Sequence, residues 1–80
     1  MLTRERIEGV LRRFPGGAEH VDVVGGPRFV AMLLSDSFEG QNEAVRQAAV
    51  WSYLRGLVTD DELEQIEFIF TDTPAERAVG

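Results

Sequence analysis

The segment from Ser35 to Leu57 constrains the fold more than any other part of this chain, because the hydrophobic pattern changes within it. Residues 29–34, just before it, are nearly all apolar, which is typical of a strand buried on one face and partly covered on the other. After a turn, apolar residues recur at the spacing of a helix. The order strand, turn, helix predicts that Asp36, Phe38 and Glu39 lie where a sheet meets the N-terminus of a helix.

The sequence as a whole predicts an α+β fold, in which a small three-stranded sheet is covered on one face by helices. Segments with helical spacing and short runs with strand spacing follow one another in the order α-β-β-α-(turn)-β-α. The first two strands are so close in sequence that they should pair as an antiparallel hairpin. All of these elements belong to a single domain of residues 1–80. They are predicted at residues 3–14, 19–24, 29–34, 42–57, 59–62 and 66–70, with a last helical turn from Thr73.

The long helix is predicted to bury an apolar half and to expose a polar stripe. Gln47, Trp51 and Arg55 lie at i, i+4 and i+8, on the side opposite the apolar half. Arg46 falls inside the apolar half, where it must snorkel or be paired. The apolar half consists of Val45, Ala49, Val50, Tyr53, Leu54 and Leu57. The core predicted for the whole chain is Ile7, Leu11, Phe14, Phe29, Ala31 or Met32, Val45, Ala49, Tyr53, Leu54, Ile66 and Phe68.

Composition and charge exclude several classes of protein. Hydrophobic residues make up 44% of the chain, which is enough for a packed core and too much for a disordered chain. There is no cysteine, so disulfides and thiolate ligands are excluded. No apolar run approaches the roughly 20 residues of a membrane helix, and no charged-then-apolar leader opens the chain, so we expect a cytoplasmic protein that does not contact a membrane. A net charge of −6 disfavours binding to nucleic-acid phosphates.

No residue pattern points to catalysis. No nucleophile stands beside a base, and the glycine pairs of the chain lack the helix-opening pattern that binds phosphate. The acidic run of residues 60–64 lacks the alternation and the glycine of a calcium loop. His20 is the one histidine; we expect it to be exposed or structural, with metal ligation as the alternative. We therefore expect neither an enzyme nor a metal bound by this chain alone.

Two stretches of the sequence resemble the signatures of the BolA-like family. Ser-Asp-Ser-Phe-Glu-Gly at residues 35–40, followed after five residues by the arginine that starts an apolar helix, looks like the central motif of that family. Phe-Thr-Asp-Thr-Pro-Ala-Glu at residues 70–76 resembles its closing Thr-Pro-Ala/Glu-Glu motif. The motifs stand in the expected order, and the match covers residues 3–76. The resemblance implies a fold related to the type II KH domain, with a helix-turn-helix-like segment around the long helix.

The resemblance also implies a partner and a cofactor. BolA-like proteins commonly pair with monothiol glutaredoxins and share a 2Fe-2S cluster with them, in iron–sulfur, redox and stress-response regulation. The ligand candidates of the family are a histidine directly after the helix arginine and a histidine or cysteine in or just after the hairpin loop. Here Arg46 is followed by Gln47, and Arg28 precedes Phe29; neither Gln47 nor Arg28 is a plausible iron ligand. The resemblance therefore implies a variant with glutamine in place of the helix histidine, in which a shared cluster is disfavoured.

The predicted function is that of a non-enzymatic regulator or adaptor that binds a protein partner, with a monothiol glutaredoxin as the candidate. The predicted partner-binding residues are Arg46, Gln47, Trp51 and Arg55, because tryptophan and arginine are enriched at the energetic centres of interfaces. Trp51 as an ordinary core residue is the competing interpretation. A nucleic-acid-binding transcriptional regulator on the KH-like scaffold is the second hypothesis. A general interaction module that has lost the cluster is the third.

Overall fold

The computed structural model describes residues 2–79 of the chain. Its elements follow the predicted order, with one short 3₁₀ turn added, so the predicted α+β class is confirmed. No helix in the described part of the chain is long and apolar enough to cross a bilayer. The helices are α1 (Arg4–Arg12), α2 (Glu43–Arg55), α3 (Asp60–Glu64) and α4 (Pro74–Val79); the strands are β1 (His20–Gly25), β2 (Phe29–Leu34) and β3 (Ile66–Asp72); the 3₁₀ turn covers Asp36–Phe38.

The three strands form one sheet in the order β1-β2-β3, with β2 in the centre. β1 and β2 pair antiparallel, with Val23 opposite Ala31, so the predicted hairpin is confirmed. β2 and β3 pair parallel, with Ala31 opposite Ile69. A parallel pair needs a long crossover, which the segment through α2 and α3 supplies. The central position of β2 explains why its residues are nearly all apolar.

The helices begin where side chains can bind the free N–H groups of a first turn. The hydroxyl of Thr3 accepts a hydrogen bond from the N–H of Arg6 at 3.1 Å, ahead of α1. Thr59 and Glu62 bind each other's backbone N–H at the start of α3, which is a complete capping box. Thr73 takes the same position ahead of α4. The predicted caps at Thr3, Thr59 and Thr73 are thus confirmed.

The junction between β2 and α2 is built from the residues of the first motif. Ser35 is fully buried, and its hydroxyl accepts from the N–H of Ser37 at 3.2 Å, which starts the 3₁₀ turn. The turn directs Phe38 inward, so that this side chain is 1% exposed. Asp36 and Glu39 remain exposed. The predicted position of these residues at the sheet–helix junction is confirmed.

The core lies between the helices and one face of the sheet. The Phe14 ring lies 5.7 Å from that of Phe38 and 5.6 Å from that of Tyr53, measured between centroids. The hydroxyl of Tyr53 donates to the carbonyl oxygen of Val10 at 2.7 Å and ties α2 to α1. Tyr53 itself is half-buried. The predicted core residues found buried are Ile7, Leu11, Phe14, Phe29, Ala31, Leu54 and Ile66.

The buried face of α2 is not the predicted one. Val45 is 47% exposed, and Ala49 is exposed as well, so their predicted places in the core are wrong; Leu57, just beyond the helix, is 48% exposed. The reason is that an arginine belongs to the buried face, which rotates this face away from the predicted apolar half. The buried residues of α2 are Arg46, Val50 and Leu54, at i, i+4 and i+8.

The side chains of β3 alternate in a different phase from the predicted one. Phe29 lies opposite Ile66, but the next residue of β2, Val30, lies opposite Phe68. Glu67 is therefore an extra residue in β3, a β-bulge. Beyond the bulge the alternation changes face, and Phe68 points away from the helices with 44% of its surface exposed. Its predicted place in the core is wrong for this reason.

Candidate functional site

Arg46 lies near the start of α2 and is only 6% exposed. Its Nε donates to the carbonyl oxygen of Gln41 at 2.9 Å, and its Nη1 donates to the carbonyl oxygen of Thr71 at 3.0 Å. The first bond holds the loop ahead of α2, and the second attaches the helix to β3. The guanidinium carbon also lies 5.7 Å from the ring centroid of Phe38. Of the two predicted outcomes for Arg46, snorkelling or pairing, the structure shows pairing within the fold.

The counter-ion of Arg46 is the carboxylate of Glu76 in the first turn of α4. Nη1 donates to Oε1 at 2.7 Å, and Nη2 donates to Oε2 at 3.0 Å. Oε1 also accepts from the backbone N–H of Thr73 at 2.8 Å. The hydrogen bonds from Arg46 and then from Thr73 lower the pKa of Glu76 to about 2, and the Glu76 carboxylate raises the pKa of Arg46. A partner can therefore reach the Arg46 guanidinium only by displacing Glu76.

Gln47 fastens the same helix to the edge strand β3. Its amide Nε2 donates to the carbonyl oxygen of Ile69 at 2.7 Å and lies 3.1 Å from Oγ1 of Thr71. Its Oε1 accepts a hydrogen bond from the indole Nε1 of Trp51 at 2.9 Å. Side chains that cover the carbonyl groups of an edge strand also protect that edge from pairing with another chain. Both ends of the Gln47 amide are thus engaged inside the fold.

The predicted stripe does not lie opposite the buried side of α2. Gln47 and Trp51 are half-buried on the flank of the helix that faces β3, and Trp51 packs against the core. Arg55 is exposed, and within residues 2–79 it takes part in no ion pair. The structure thus joins Gln47 to Trp51, leaves Arg55 on the surface one turn further along, and buries Arg46. That these residues bind a partner stays a prediction.

The residues at the ligand positions of the family do not fit an iron–sulfur cluster. The amide oxygen of Gln47 is already bound by Trp51, and the Arg28 side chain is a cation. His20 lies opposite Leu34, at the far end of the hairpin from Arg28. In the part of the chain that the structure describes, no three His, Cys, Asp or Glu side chains come together in a way that could hold a metal ion. The donor set offers no iron ligand where the family resemblance would require one.

A second surface was missed from the sequence. It is the face of the sheet that the helices leave uncovered, here called the open face. Val24 is 54% exposed, Phe68 44% and Phe70 47%, and all three belong to this face. In β1 the sequence did indicate this face, because Val24 falls on the opposite side of the strand from the core residues Val21 and Val23. In β3 the bulge concealed the open face, because strict alternation of side chains along the strand assigns Phe68 to the core.

The fold defines the class of this protein: a small α+β protein whose mixed sheet is covered by helices on one face. Its site adds that residues 2–79 contain no metal-ligating cluster. No family model matches the sequence, and no curated protein matches it. Solved structures do match its fold over nearly its whole length, among them the following two.

The first is the crystal structure of a Bol-like protein from Babesia bovis, with a TM-score of 0.70 and 27% identity over 99% of this chain and 93% of that chain. The second is a BolA protein homologue from Coxiella burnetii, with a TM-score of 0.70 and 24% identity over 98% of this chain and 99% of that chain; it shows the same fold. The chain is thus similar in fold to BolA-like proteins, in agreement with the resemblance of its two motifs. The interpretation of Gln47 as the mark of a variant within the family stays a prediction.

Proposed function

We propose that this protein is a BolA-like, non-enzymatic adaptor that binds a protein partner, a monothiol glutaredoxin, in iron–sulfur or redox regulation. The observation that carries the proposal is the position of Trp51 and Arg55, a half-buried indole and an exposed arginine one turn apart on α2. The family resemblance supports the choice of partner, because the same helix carries the position at which relatives share their cluster. The cytoplasmic location of the protein stays a prediction.

Trp51 suits an interface because its orientation is already set. The hydrogen bond from its indole N–H to Gln47 holds the ring in one place, so little side-chain entropy remains to be lost on binding. Arg55 adds a charge-assisted donor for a carboxylate of the partner. Tryptophan and arginine are both enriched at the energetic centres of interfaces. The flank formed by Trp51 and Arg55 is therefore the surface at which we place the partner.

The proposed complex differs from a cluster-sharing one in the contribution of this chain. Because Gln47 is held by Trp51 and β3, it does not supply a ligand in place of histidine. Affinity must then come from contacts between the two proteins. We propose that any 2Fe-2S cluster present remains on the glutaredoxin, and that this chain recognises the cluster state of the glutaredoxin through protein contacts alone.

Nucleic-acid binding has less support than protein binding. The net charge of the chain is −6, which opposes the neutralisation of phosphates. Each ion pair among residues 2–79 also uses an arginine, so part of the positive charge is already matched by carboxylates. The paired arginines are Arg4, Arg6, Arg12, Arg46 and Arg77.

The test is a titration of this protein with a monothiol glutaredoxin, followed by calorimetry in low and moderate salt. We expect a one-to-one complex whose dissociation constant rises about tenfold in Arg55→Ala, the loss of one charge-assisted contact at the centre of an interface. Arg4→Ala is the matched control, because Arg4 is also an exposed helical arginine and lies on α1. The absence of a complex would overturn the proposed partner. Equal affinities of the two variants would overturn the proposed surface.

A further inference from the structure

The open face is organised in three rows of side chains that run across the strands. The sheet register sets these rows, because residues opposite one another on neighbouring strands point to the same side. From one end of the face to the other, the rows are Val24–Val30–Phe68, Asp22–Met32–Phe70 and His20–Leu34–Asp72. The first row is entirely apolar, the second is acidic on β1 only, and the third ends in polar groups on both outer strands.

The apolar end of the face has no cover within the described chain. Val24, Phe68 and Phe70 expose between 44% and 54% of their surface. The rings of Phe68 and Phe70 lie 4.6 Å apart between centroids, edge to face, so they form one continuous apolar patch. Contiguous apolar patches on small monomeric proteins usually mark binding surfaces. Removing these rings from water would be a substantial source of affinity.

The middle row of the face is acidic on β1 and borders a hollow. Asp22 forms no ion pair with any residue of the described chain. Asp72 lies 3.7 Å from the guanidinium of Arg77 on α4. Beside Asp22 is a cavity of ≈ 160 Å³, lined by Asp22, Val24, Val30, Ala31, Met32, Phe70 and Arg77. It has room for one large side chain that is apolar along its stem and cationic at its tip.

The size of the face selects one kind of occupant. Strands lie about 4.8 Å apart, so the three strands span roughly 10 Å, which is the diameter of one helix. Three rows at about 6.8 Å spacing add only roughly 14 Å along the strands. A stable dimer needs about 800 Å² on each partner, which is more than this patch provides. Two copies that each carry a charge of −6 would also repel each other.

We propose that the open face binds an amphipathic helix of a partner protein, apolar along one stripe and basic at one end. Apolar side chains at i and i+4 contact the rows of Val24 and Met32, and a lysine or arginine at i+7 or i+8 lies over the third row and reaches back along the face to the carboxylate of Asp22. The helix lies along the strands, because its rise of about 6 Å per four residues matches the row spacing of the sheet. This surface is separate from the flank of Trp51 and Arg55, and the proposal holds whether or not a glutaredoxin binds there.

The test uses a synthetic helical peptide of about 16 residues, cross-linked to hold the helix. It carries leucines at i and i+4 and lysines at i+7 and i+8, and a second peptide has glutamates in place of the lysines. Backbone amide chemical shifts of the whole protein report the site of binding. We expect the lysine peptide to shift the amides of β1 and β3, and the glutamate peptide to bind more weakly.

Three variants separate the proposal from its competitors. Asp22→Asn should weaken the lysine peptide about threefold to fivefold, the effect of one exposed charge pair. Asp61→Asn on α3 makes the same change of net charge away from the face and should leave the affinity unchanged. Phe70→Ser should weaken both peptides about tenfold, and its dispersed amide spectrum would show that it still folds, since Phe70 is 47% exposed.

Other outcomes overturn the proposal. Equal effects of Asp22→Asn and Asp61→Asn would mean that only net charge matters. Shifts confined to α2 would assign the peptide to the other surface. If sedimentation showed a dimer that Phe70→Ser dissociates, the open face would be the interface with a second copy of the chain. If a single-stranded oligonucleotide shifted the β3 amides, and Phe70→Ser abolished these shifts, the open face would instead be a site at which nucleic-acid bases stack.

Discussion

Arg46 and Glu76, 30 residues apart in the sequence, form a two-pronged ion pair with distances of 2.7 and 3.0 Å. The arginine side chain is 8% exposed and the glutamate side chain 48%, so the pair closes the surface over a buried cation. Arg46 follows the first motif of the sequence, and Glu76 ends the second. The pair therefore explains why the two motifs occur together: they are the two halves of one contact that joins α2 to β3 and α4.

Replacing Arg46 should destabilise the fold strongly. Arg46→Ala should lower the free energy of unfolding by about 3 kcal/mol, because the carbonyl groups of Gln41 and Thr71 lose their donor and Glu76 loses its cation. Arg46→Lys keeps the positive charge but not the planar guanidinium that binds both oxygens of Glu76, so its loss of stability should be smaller than that of Arg46→Ala. Urea unfolding at pH 7 measures both. Arg55→Ala on the exposed side of the same helix should change the value by less than about 0.5 kcal/mol, and a loss as large as that of Arg46→Ala would contradict the assignment.

The stability of the protein should fall in acid as Glu76 becomes protonated. The pKa of Glu76 is about 2 in the fold, against 4.5 for the free group, so ionised Glu76 stabilises the folded state. This contribution is present above pH 4.5 and is lost as the pH falls toward 2. Glu62, whose pKa is also lowered, acts in the same direction. Glu76→Gln should lower the urea midpoint at neutral pH and flatten its pH dependence, whereas Glu39→Gln on the exposed surface should leave the midpoint at neutral pH unchanged.

Local patterns were sufficient to predict the order of the elements. Each helix start depends on one capping residue and the few residues after it, as at Thr3 and Thr59. The hairpin follows from two short runs close in sequence, and the α1 face follows from the spacing of Ile7 and Leu11. These are interactions within a few residues, and the sequence shows them directly.

The side chains of the candidate site could not be placed in the same way, because their partners are distant. Gln47 resembles an exposed polar residue until its acceptor is known, and that acceptor is the backbone carbonyl group of Ile69. Arg46 resembles an interruption of an apolar face until Glu76 is found beside it. The bulge at Glu67 depends on how β3 meets β2 across the whole crossover. It moved Phe68 from the core to the open face.

Truncation of Phe14 tests whether α1 packs as described. Phe14 is 9% exposed and contacts the rings of Phe38 and Tyr53. Phe14→Ala should cost about 3–5 kcal/mol, a large part of the stability of so small a domain. Phe70→Ala removes the same ring from the open face and should cost far less. A loss below about 1 kcal/mol for Phe14→Ala would mean that α1 does not hold the core together.

Substitutions of Trp51 distinguish a core role of this residue from an interface role. It is half-buried and packs against the core, so Trp51→Ala should cost about 1–3 kcal/mol, less than a fully buried aromatic residue. Trp51→Phe keeps a six-membered aromatic ring and loses the pyrrole part of the indole together with its hydrogen bond to Gln47. If the residue also anchors a partner, the affinity of the still-folded Trp51→Phe variant should fall while its melting temperature stays close to that of the parent. A melting transition that collapses in both variants would contradict the interface role.

The last prediction concerns the cluster. When this protein is present during reconstitution of a monothiol glutaredoxin, the absorption and circular dichroism spectra should be those of the glutaredoxin alone. The reason is that Gln47 and Arg28 occupy the ligand positions that the family resemblance implies, and neither binds iron. Gln47→His should move the spectra toward a mixed complex, because it returns an imidazole to a helix position that the fold already holds against β3. The same variant should lose about 1 kcal/mol of stability, since a rigid imidazole does not place its one donor and one acceptor where the Gln47 amide places them toward Ile69 and Trp51. His20→Ala is the control and should change nothing. A mixed spectrum with the parent protein that disappears in His20→Ala would instead make this histidine a cluster ligand.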